Sequence, residues 1–262
     1  MNNILDLDRY PIECLDSLEA KALVARCQAE LASEGMFNLE GFVRGHVVQS
    51  CAAQLQIMLD RESFTHTRSH NIYFLKNVPG LRVDHPALRT VESIHHTLCA
   101  DQIRRTKIHD IYEWRPLARF IAAVMQKPAL YLMEDPLARV NVIAYREGET
   151  LNWHFDRSQF TTTLLIQAPE AGGEFQYRSN LRTETDPNYE GVARLLAGED
   201  TEVRTLAVKP GTLNVFKGRN TLHRVSPPVG KRDRIIAIFS YYDRAGVAFS
   251  TEERLGFYGR AS

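Results

Sequence analysis

Apolar and polar positions follow a helical period in the first half of the chain and a strand pattern in the second. Apolar residues recur every three or four positions over residues 17–34 and again over residues 39–60, which predicts two amphipathic helices. Asp16 or Ser17 is suited to cap the first helix, because its side-chain oxygen can accept a hydrogen bond from a free backbone N–H. Gly35 is suited to end that helix.

The next segment mixes the two patterns. Residues 70–76 are rich in β-branched and aromatic side chains and predict a strand, followed by a turn at residues 77–80. Asp84, as a cap, and Pro86, in the first turn, resemble the start of a helix. We expect this helix to continue to about Cys99.

A further helix is predicted over residues 110–126, although Pro116 complicates its beginning. From residue 128 onward the chain changes to short runs rich in β-branched and aromatic residues, separated by Gly and Pro turns. The runs are residues 129–135, 137–147, 151–158, 160–168, 173–179, 203–218, 223–228 and 234–243. One helix, at residues 189–200, is expected between two of these strands.

Many short strands in succession are typical of a sandwich or a barrel. We therefore predict an α+β fold with a mainly β core, in one domain that spans residues 1–262. Residues 1–127 would form a mainly helical support, and residues 128–262 the β core that carries the functional site.

Composition and charge exclude some classes of protein. The chain has 262 residues, with 32 Lys+Arg and 32 Asp+Glu, so its formal net charge is zero. A nucleic-acid-binding protein usually carries a basic excess, so we expect no nucleic-acid partner. No apolar run approaches the about 20 residues that span a bilayer, and the acidic N-terminal segment lacks the basic start of a signal peptide. We expect a soluble, cytoplasmic protein with no membrane partner, and the sequence leaves its oligomeric state open.

The cysteines agree with a reducing compartment. Cys14, Cys27, Cys51 and Cys99 are widely spaced, and no two of them form a C-x-x-C pair. This spacing disfavours a zinc site or a disulfide framework.

His154 and Asp156 form the first candidate for chemistry. On a β-strand, residues two apart share a face, so the imidazole and the carboxylate would point the same way. Together they would supply two of the three ligands of a 2-His-1-carboxylate face for non-haem Fe(II). The best candidate for the third ligand is His223, which lies among the later strands after a turn at Pro210 and Gly211.

Arg234 is the next candidate. It opens an apolar run in which Ile236, Ile238 and Ser240 would share its face by strand alternation. A cation on an inward face is costly unless it is paired, and a guanidinium binds a carboxylate through two parallel hydrogen bonds. A bound carboxylate is therefore its natural partner. Arg232 is the rival, but Arg234 leads directly into the apolar run.

The set of His154, Asp156, His223 and Arg234 resembles the Fe(II)/2-oxoglutarate-dependent oxygenases, whose fold is a double-stranded β-helix (jelly roll). The resemblance covers roughly residues 138–243. It extends to the flanking motifs Tyr145-x-x-Gly148, Gly172-Gly173-Glu174-Phe175, Pro210-Gly211 and His223-Arg224-Val225. Residues 153–158 and the tail at residues 253–260 are similar to the group that contains the free-amino-acid halogenases and their hydroxylase relatives.

The resemblance implies a role for each matching residue. His154, Asp156 and His223 would bind Fe(II), Arg234 would pair with the distal carboxylate of 2-oxoglutarate, and Tyr145 would reach the same cosubstrate. In the halogenases of that group a small residue takes the carboxylate position and leaves room for chloride on iron. Here Asp156 takes it, so the resemblance implies hydroxylation rather than halogenation.

The predicted function is therefore hydroxylation of a small polar molecule, a free amino acid or a related metabolite. Fe(II), 2-oxoglutarate and O2 would be used, and 2-oxoglutarate would be decarboxylated to succinate. Desaturation or cyclisation in natural-product biosynthesis would use the same oxidant, and a protein substrate is a further alternative. An alternative of another class is a non-enzymatic metal-binding β-barrel.

Substrate contacts are predicted from position alone. The candidates are Leu151 and Arg157, which flank the His154–Asp156 pair, Ser240, which faces inward beyond Arg234, and Tyr258 in the tail. The other seven histidines lie in the half predicted to be helical, and we do not assign them as ligands.

Overall fold

The computed structural model describes residues 1–75 and 78–262 of the chain. Within these residues the α-helices are α1 (Leu18–Ser33), α2 (Gly45–Glu62), α3 (Lys107–Glu113), α4 (Arg115–Val124), α5 (Tyr189–Leu196) and α6 (Thr251–Tyr258). No helix in these ranges is long and apolar enough to cross a membrane.

The strands of the described residues lie in both halves of the chain. They are β1 (Met36–Leu39), β2 (Phe64–His70), β3 (Val91–Leu98), β4 (Tyr131–Leu132), β5 (Val140–Tyr145), β6 (Leu151–His154), β7 (Thr161–Gln167), β8 (Ala171–Gly172), β9 (Phe175–Arg178), β10 (Arg204–Leu206), β11 (Leu213–Phe216), β12 (Leu222–Val225), β13 (Pro228–Val229), β14 (Arg234–Phe239) and β15 (Tyr241–Tyr242).

Two antiparallel sheets face each other at the centre of the fold. The larger sheet has seven strands in the order β1-β11-β7-β14-β5-β3-β2, and the smaller has four in the order β10-β9-β12-β6. Phe175 and Tyr177 of the smaller sheet pack with Met36 and Phe216 of the larger one. This is the arrangement of a double-stranded β-helix, and the predicted α+β fold with a β core is confirmed.

Strand alternation gives the larger sheet two different faces. On β5 and β14, Val142 and Ala237 belong to the main core, which includes residues of α1, α2, α3 and α4. Ile143, Ile236 and Ile238 point the other way and pack with residues of the smaller sheet. α1, α2, α3 and α4 therefore cover the outer face, and the inner face is left to line the space between the sheets.

The N-terminal half contains more strand than the sequence predicted. The helix expected from Asp84 to Cys99 is wrong, since only a short 3-10 turn at Pro86–Leu88 forms and β3 follows it. β3 lies between β2 and β5, and this non-local pairing overrides the local helical pattern.

Other boundaries also shift. The strand in this region is β2, which ends at His70, where the strand expected at residues 70–76 was to begin. The last residue of that expected strand and the first residue of the expected turn lie outside the described residues. The helix expected at residues 39–60 begins at Gly45, because β1 pairs with β11 just before it. The helix expected over residues 110–126 is divided at Trp114, two residues before Pro116.

Local signals were reliable where the partners are close in sequence. α1 begins after Ser17, whose side chain accepts a hydrogen bond from the backbone N–H of Ala20, and Gly35 follows its end with φ of 74°. The inserted helix is also confirmed as α5.

The C-terminal helix is tied to the β core by a buried carboxylate. Asp135 is fully buried and accepts hydrogen bonds from the backbone N–H groups of Leu137, Ala138 and Phe249. It also pairs with Arg254 of α6, with Nε 2.8 Å from Oδ2. Burial alone would raise the pKa of Asp135, but Arg254 and these N–H donors outweigh burial and hold the pKa below its ordinary value.

We predict that Asp135→Asn lowers the free energy of unfolding by about 2–4 kcal/mol at neutral pH, because Arg254 loses its buried partner. The carboxylate has a lower pKa when folded, so its contribution is complete above about pH 4 and is lost as the pH falls further. The difference in free energy of unfolding between Asp135→Asn and the wild type should therefore decrease on acidification. Urea unfolding at neutral pH and at about pH 3 measures this. Asp8→Asn, at a carboxylate that is 93% exposed, is the control and should match the wild type.

Candidate metal centre and active site

Three predicted ligands come together between the sheets. His154 on β6 and His223 on β12 are direct partners across an antiparallel strand pair, and their ring centroids are 4.2 Å apart. Oδ1 of Asp156 lies 3.4 Å from Nε2 of His154 and 3.6 Å from Nε2 of His223. One possible ligand atom from each residue lies within 4.8 Å of the others. Such a cluster of two imidazoles and a carboxylate has the donors that non-haem Fe(II) uses.

Asp156 reaches this point by a different route from the one expected. β6 ends at His154, so the two residues do not share the face of one strand. Asp156 lies in the following turn, where its backbone N–H donates to the carbonyl of Gly218 and its Oδ2 accepts a hydrogen bond of 2.5 Å from Thr161 Oγ1. A Cβ at Gly218 would lie 2.5 Å from Oδ2 of Asp156, so the turn needs glycine there. The sequence pattern did not reveal Thr161 or Gly218.

Backbone carbonyls orient both imidazoles. Nδ1 of His154 lies 2.7 Å from the carbonyl oxygen of Asn152, and Nδ1 of His223 lies 3.0 Å from that of Thr221. A carbonyl can only accept, so each Nδ1 carries the proton and donates it. Each Nε2 then has a free lone pair directed toward Asp156, as metal binding requires.

The protonation states also suit a metal. Burial, reinforced by the adjacent His154 and opposed by Asp156, lowers the pKa of His223 to about 4. For Asp156, burial would raise the pKa, but His223, His154 and the hydrogen bond from Thr161 hold it well below its ordinary value. At neutral pH the carboxylate is charged and the imidazole of His223 is neutral, which are the forms that coordinate a divalent ion.

A cavity of about 80 Å³ adjoins the cluster on the side of the predicted cosubstrate residues. Arg234 lines it and is 3% exposed, with Nε donating to the carbonyl of Gly173 at 2.8 Å. Its Nη1 and the hydroxyl of Thr212, which also lines the cavity, are buried without a hydrogen-bond partner in the described residues. Burial lowers the pKa of Arg234, while the facing Tyr145 opposes the shift. A carboxylate in this cavity would satisfy the free donors.

Arg232 lies elsewhere. It precedes β14, is exposed, and donates from Nη2 to the carbonyl of Pro169 at 3.1 Å. Tyr145, in contrast, pairs directly with Arg234 across β5 and β14, and its ring lies 5.8 Å from the guanidinium carbon. The structure therefore brings Arg234 and Tyr145 together beside the cluster.

A larger cavity of about 280 Å³, here called the chamber, also borders the cluster. All four residues predicted to contact substrate line it, namely Leu151, Arg157, Ser240 and Tyr258. The three polar ones already have partners. Arg157 pairs with Glu253 at 3.2 Å, the hydroxyl of Ser240 donates to the carbonyl of Ala138 at 3.3 Å, and the hydroxyl of Tyr258 donates to Asn141 Oδ1 at 2.9 Å.

The sequence analysis missed most of the wall that β2 and β3 give the chamber. The residues of this wall include His66, Arg68, His70 and His95. Most of them were missed because β3 was predicted as a helix and β2 was placed too late in the chain. A signal was present, since the first three of these residues are spaced two apart and share one face of a strand.

Two facing sheets with this cluster between them are the fold and the donor set that the resemblance to the Fe(II)/2-oxoglutarate-dependent oxygenases predicted. More narrowly, a family model described as Halogenase D matches residues 19–253, and the chain belongs to this family. A comparison with curated proteins gave no match.

Solved structures with the same fold have low sequence identity to this chain. HygX from Streptomyces hygroscopicus, with nickel and 2-oxoglutarate bound, is 13% identical, with a TM-score of 0.57 over 86% of this chain and 89% of that chain. The α-ketoglutarate-dependent epimerase SnoN from nogalamycin biosynthesis is 13% identical, with a TM-score of 0.56 over 85% of this chain and 82% of its own. A prolyl-4-hydroxylase from Pseudomonas putida is 14% identical, with a TM-score of 0.51 over 83% and 98%.

We predict that Gly218→Ala weakens Fe(II) binding by roughly 10- to 100-fold, because the new methyl group displaces the carboxylate of Asp156. Anaerobic titration with Fe(II) measures the affinity. Gly45→Ala is the matched control, since a Cβ there meets nothing within 4 Å. Equal affinities in the two variants would contradict this account of the turn.

Proposed function

We propose that the protein is an Fe(II)/2-oxoglutarate-dependent hydroxylase of a small polar substrate, a free amino acid or a related metabolite. One observation carries the proposal: the cluster of His154, Asp156 and His223 lies beside Arg234, whose buried guanidinium has a free Nη1 and no acidic partner among the described residues. A site that binds only a metal ion does not need a cation with a free donor beside it. A site that also binds a dicarboxylate does need one, because the cation pairs with the distal carboxylate.

His154, Asp156 and His223 would hold Fe(II) through two Nε2 atoms and Oδ1. Three donors on one side leave the opposite side of the ion open to small ligands. Fe(II) bound there with 2-oxoglutarate and O2 supplies an oxidant that hydroxylates a C–H bond, while 2-oxoglutarate loses CO2 and becomes succinate. The protein contributes fixed ligands, a small cavity for the cosubstrate and a larger chamber for the substrate.

Arg234 would bind the distal carboxylate of 2-oxoglutarate. Its Nη1 donor is free, and the hydroxyl of Thr212 offers a second donor in the same cavity. Tyr145 forms the adjoining wall and is our second candidate for contact with the cosubstrate. Because the guanidinium is buried, its pairing with a carboxylate is stronger than it would be at the surface.

Asp156 supports hydroxylation within a family whose model is described as a halogenase. Its Oδ1 lies within 3.6 Å of both imidazole Nε2 atoms, so the carboxylate takes the third ligand position of the cluster. A halide would need this position to be vacant. The carboxylate therefore favours transfer of a hydroxyl group.

Arg68 supports a substrate with a carboxylate. Its guanidinium carbon lies 4.7 Å from the ring centre of Phe74 and 5.4 Å from that of Phe257, inside the chamber. Burial and the nearby Arg157 both lower the pKa of Arg68, and no salt bridge to an acidic group satisfies it within the described residues. The volume of about 280 Å³ fits a molecule of amino-acid size.

Desaturation or cyclisation remains the second candidate, because the same oxidant performs both. The solved structures of similar fold include a carbocyclase, SnoK, and the epimerase SnoN. The non-enzymatic barrel is disfavoured by the free Arg234. A cytoplasmic location is part of the proposal, supported by four cysteines that are all free.

We predict that Arg234→Gln raises the KM for 2-oxoglutarate by roughly 10- to 100-fold, because the buried fork that holds the distal carboxylate is lost. Arg232→Gln is the matched control, two residues away and exposed. Succinate formation at varied 2-oxoglutarate measures both. If the control had the larger effect, the two arginines would have to exchange roles.

We predict that the wild type forms succinate from 2-oxoglutarate with Fe(II) and O2 across a panel of amino acids, and that Asp156→Ala abolishes turnover. Asp156→Gly with added chloride should lose hydroxylation and give little chlorination, since the substrate must also be repositioned. Undiminished turnover in Asp156→Ala would show that this carboxylate is not a metal ligand and would contradict the proposed function.

A further inference from the structure

The charges that line the chamber are unequal. Arg68 and Arg157 both line it, and Arg157 is paired with Glu253 while Arg68 has no acidic partner among the described residues. The one carboxylate that lines the chamber in the described part of the chain is that of Asp156, and it belongs to the metal cluster. The chamber thus holds one unpaired positive charge and no negative charge that a substrate could use.

The histidines of the chamber do not change this balance. Burial lowers the pKa of His66, and it lowers that of His95 to about 3, so both are neutral at neutral pH. His70 is held on both sides: Nδ1 lies 3.0 Å from the carbonyl oxygen of Asn71, and Nε2 lies 2.7 Å from Ser93 Oγ. These imidazoles can form hydrogen bonds with a substrate, but none carries a charge that would balance an ammonium group.

One wall of the chamber is aliphatic. Leu151, Ile143 and Ile238 line it and pack together as one cluster. Arg68 lies beside Phe74, whose ring centroid is 5.5 Å from that of His154. A molecule held by its carboxylate at Arg68 would therefore share the chamber with this aliphatic wall.

We propose that the chamber selects carboxylate-bearing substrates whose side chain is uncharged, and that it excludes amino acids with a cationic side chain. This deepens the proposed function and rests on it, because the chamber is taken as the substrate site. The α-ammonium of an amino acid stays beside its own carboxylate. A side-chain ammonium adds a second, unpaired positive charge next to aliphatic walls and in the field of Arg68.

The physical reason is the loss of hydration. An ammonium group that leaves water needs an acid or several strong acceptors, and burial without them is strongly unfavourable. A hydroxyl of the same size needs only one hydrogen bond, which neutral groups such as His95 can supply. Nδ1 of His95 is buried without a hydrogen-bond partner in the described residues. The chamber therefore discriminates between substrates by the charge of their side chain rather than by its length or polarity.

Three ligands with the same carbon chain separate these properties. Norleucine has an apolar end, lysine has an ammonium at that end, and hydroxynorleucine has a terminal hydroxyl in its place. Dissociation constants are measured by calorimetry on the protein loaded with Fe(II) and 2-oxoglutarate under anaerobic conditions. We expect norleucine and hydroxynorleucine to bind within about tenfold of each other, and lysine to bind roughly 100-fold more weakly than norleucine. Arg68→Gln should weaken the binding of both uncharged ligands.

Lysine that binds as tightly as norleucine would overturn the inference. So would hydroxynorleucine that binds as weakly as lysine, because size or polarity would then be the property selected. Failure of both uncharged ligands to bind a protein that forms succinate with another substrate would also overturn it, while the proposed function would stand. Tight, selective binding without succinate formation would reject the proposed function and leave the selectivity in place.

Discussion

The pairing of β6 with β12 is the constraint on which the rest of the site depends. It joins segments that are far apart in the chain and sets His154 opposite His223, with a register shift immediately after His223. A slip of one residue would turn a histidine to the opposite face of the sheet. Asp156 then needs only the turn that follows β6, where Gly218 leaves it room. The register that pairs β6 with β12 is therefore also what brings the metal donors together.

Two free cations organise the space around this cluster. Arg234 lines the small cavity, and Arg68 lines the chamber. Arg234 is buried and Arg68 is partly buried, and a cation that has lost water without gaining an acidic partner is unfavourable. A bound carboxylate would compensate for this loss at either arginine. Under the proposed function, each of the two cavities beside the cluster therefore takes one acid, and the neutral walls of the chamber restrict what else the second acid can carry.

The larger sheet unites the two halves of the chain. β2 and β3 come from the N-terminal half and carry Arg68 and His95 into the chamber, while β5 and β14 come from the C-terminal half. α6 contributes to the chamber from the chain's end and is held by the pair of Asp135 and Arg254. The substrate wall is therefore the most non-local part of the molecule, whereas the metal site needs only β6, β12 and one turn.

Local sequence signals were enough to predict the class of fold, α1 with its Ser17 cap, and the candidates His154, Asp156, His223 and Arg234. These signals depend on neighbouring residues, or on side-chain chemistry that is costly to bury without a purpose. That residues 91–98 form a strand could not be predicted in this way, because β3 owes its conformation to pairing with β2 and β5. Contacts between distant segments, which no local period encodes, also decided three other features. These are the burial of Arg234 with the exposure of Arg232, the turn that positions the carboxylate of Asp156, and the walls of the chamber.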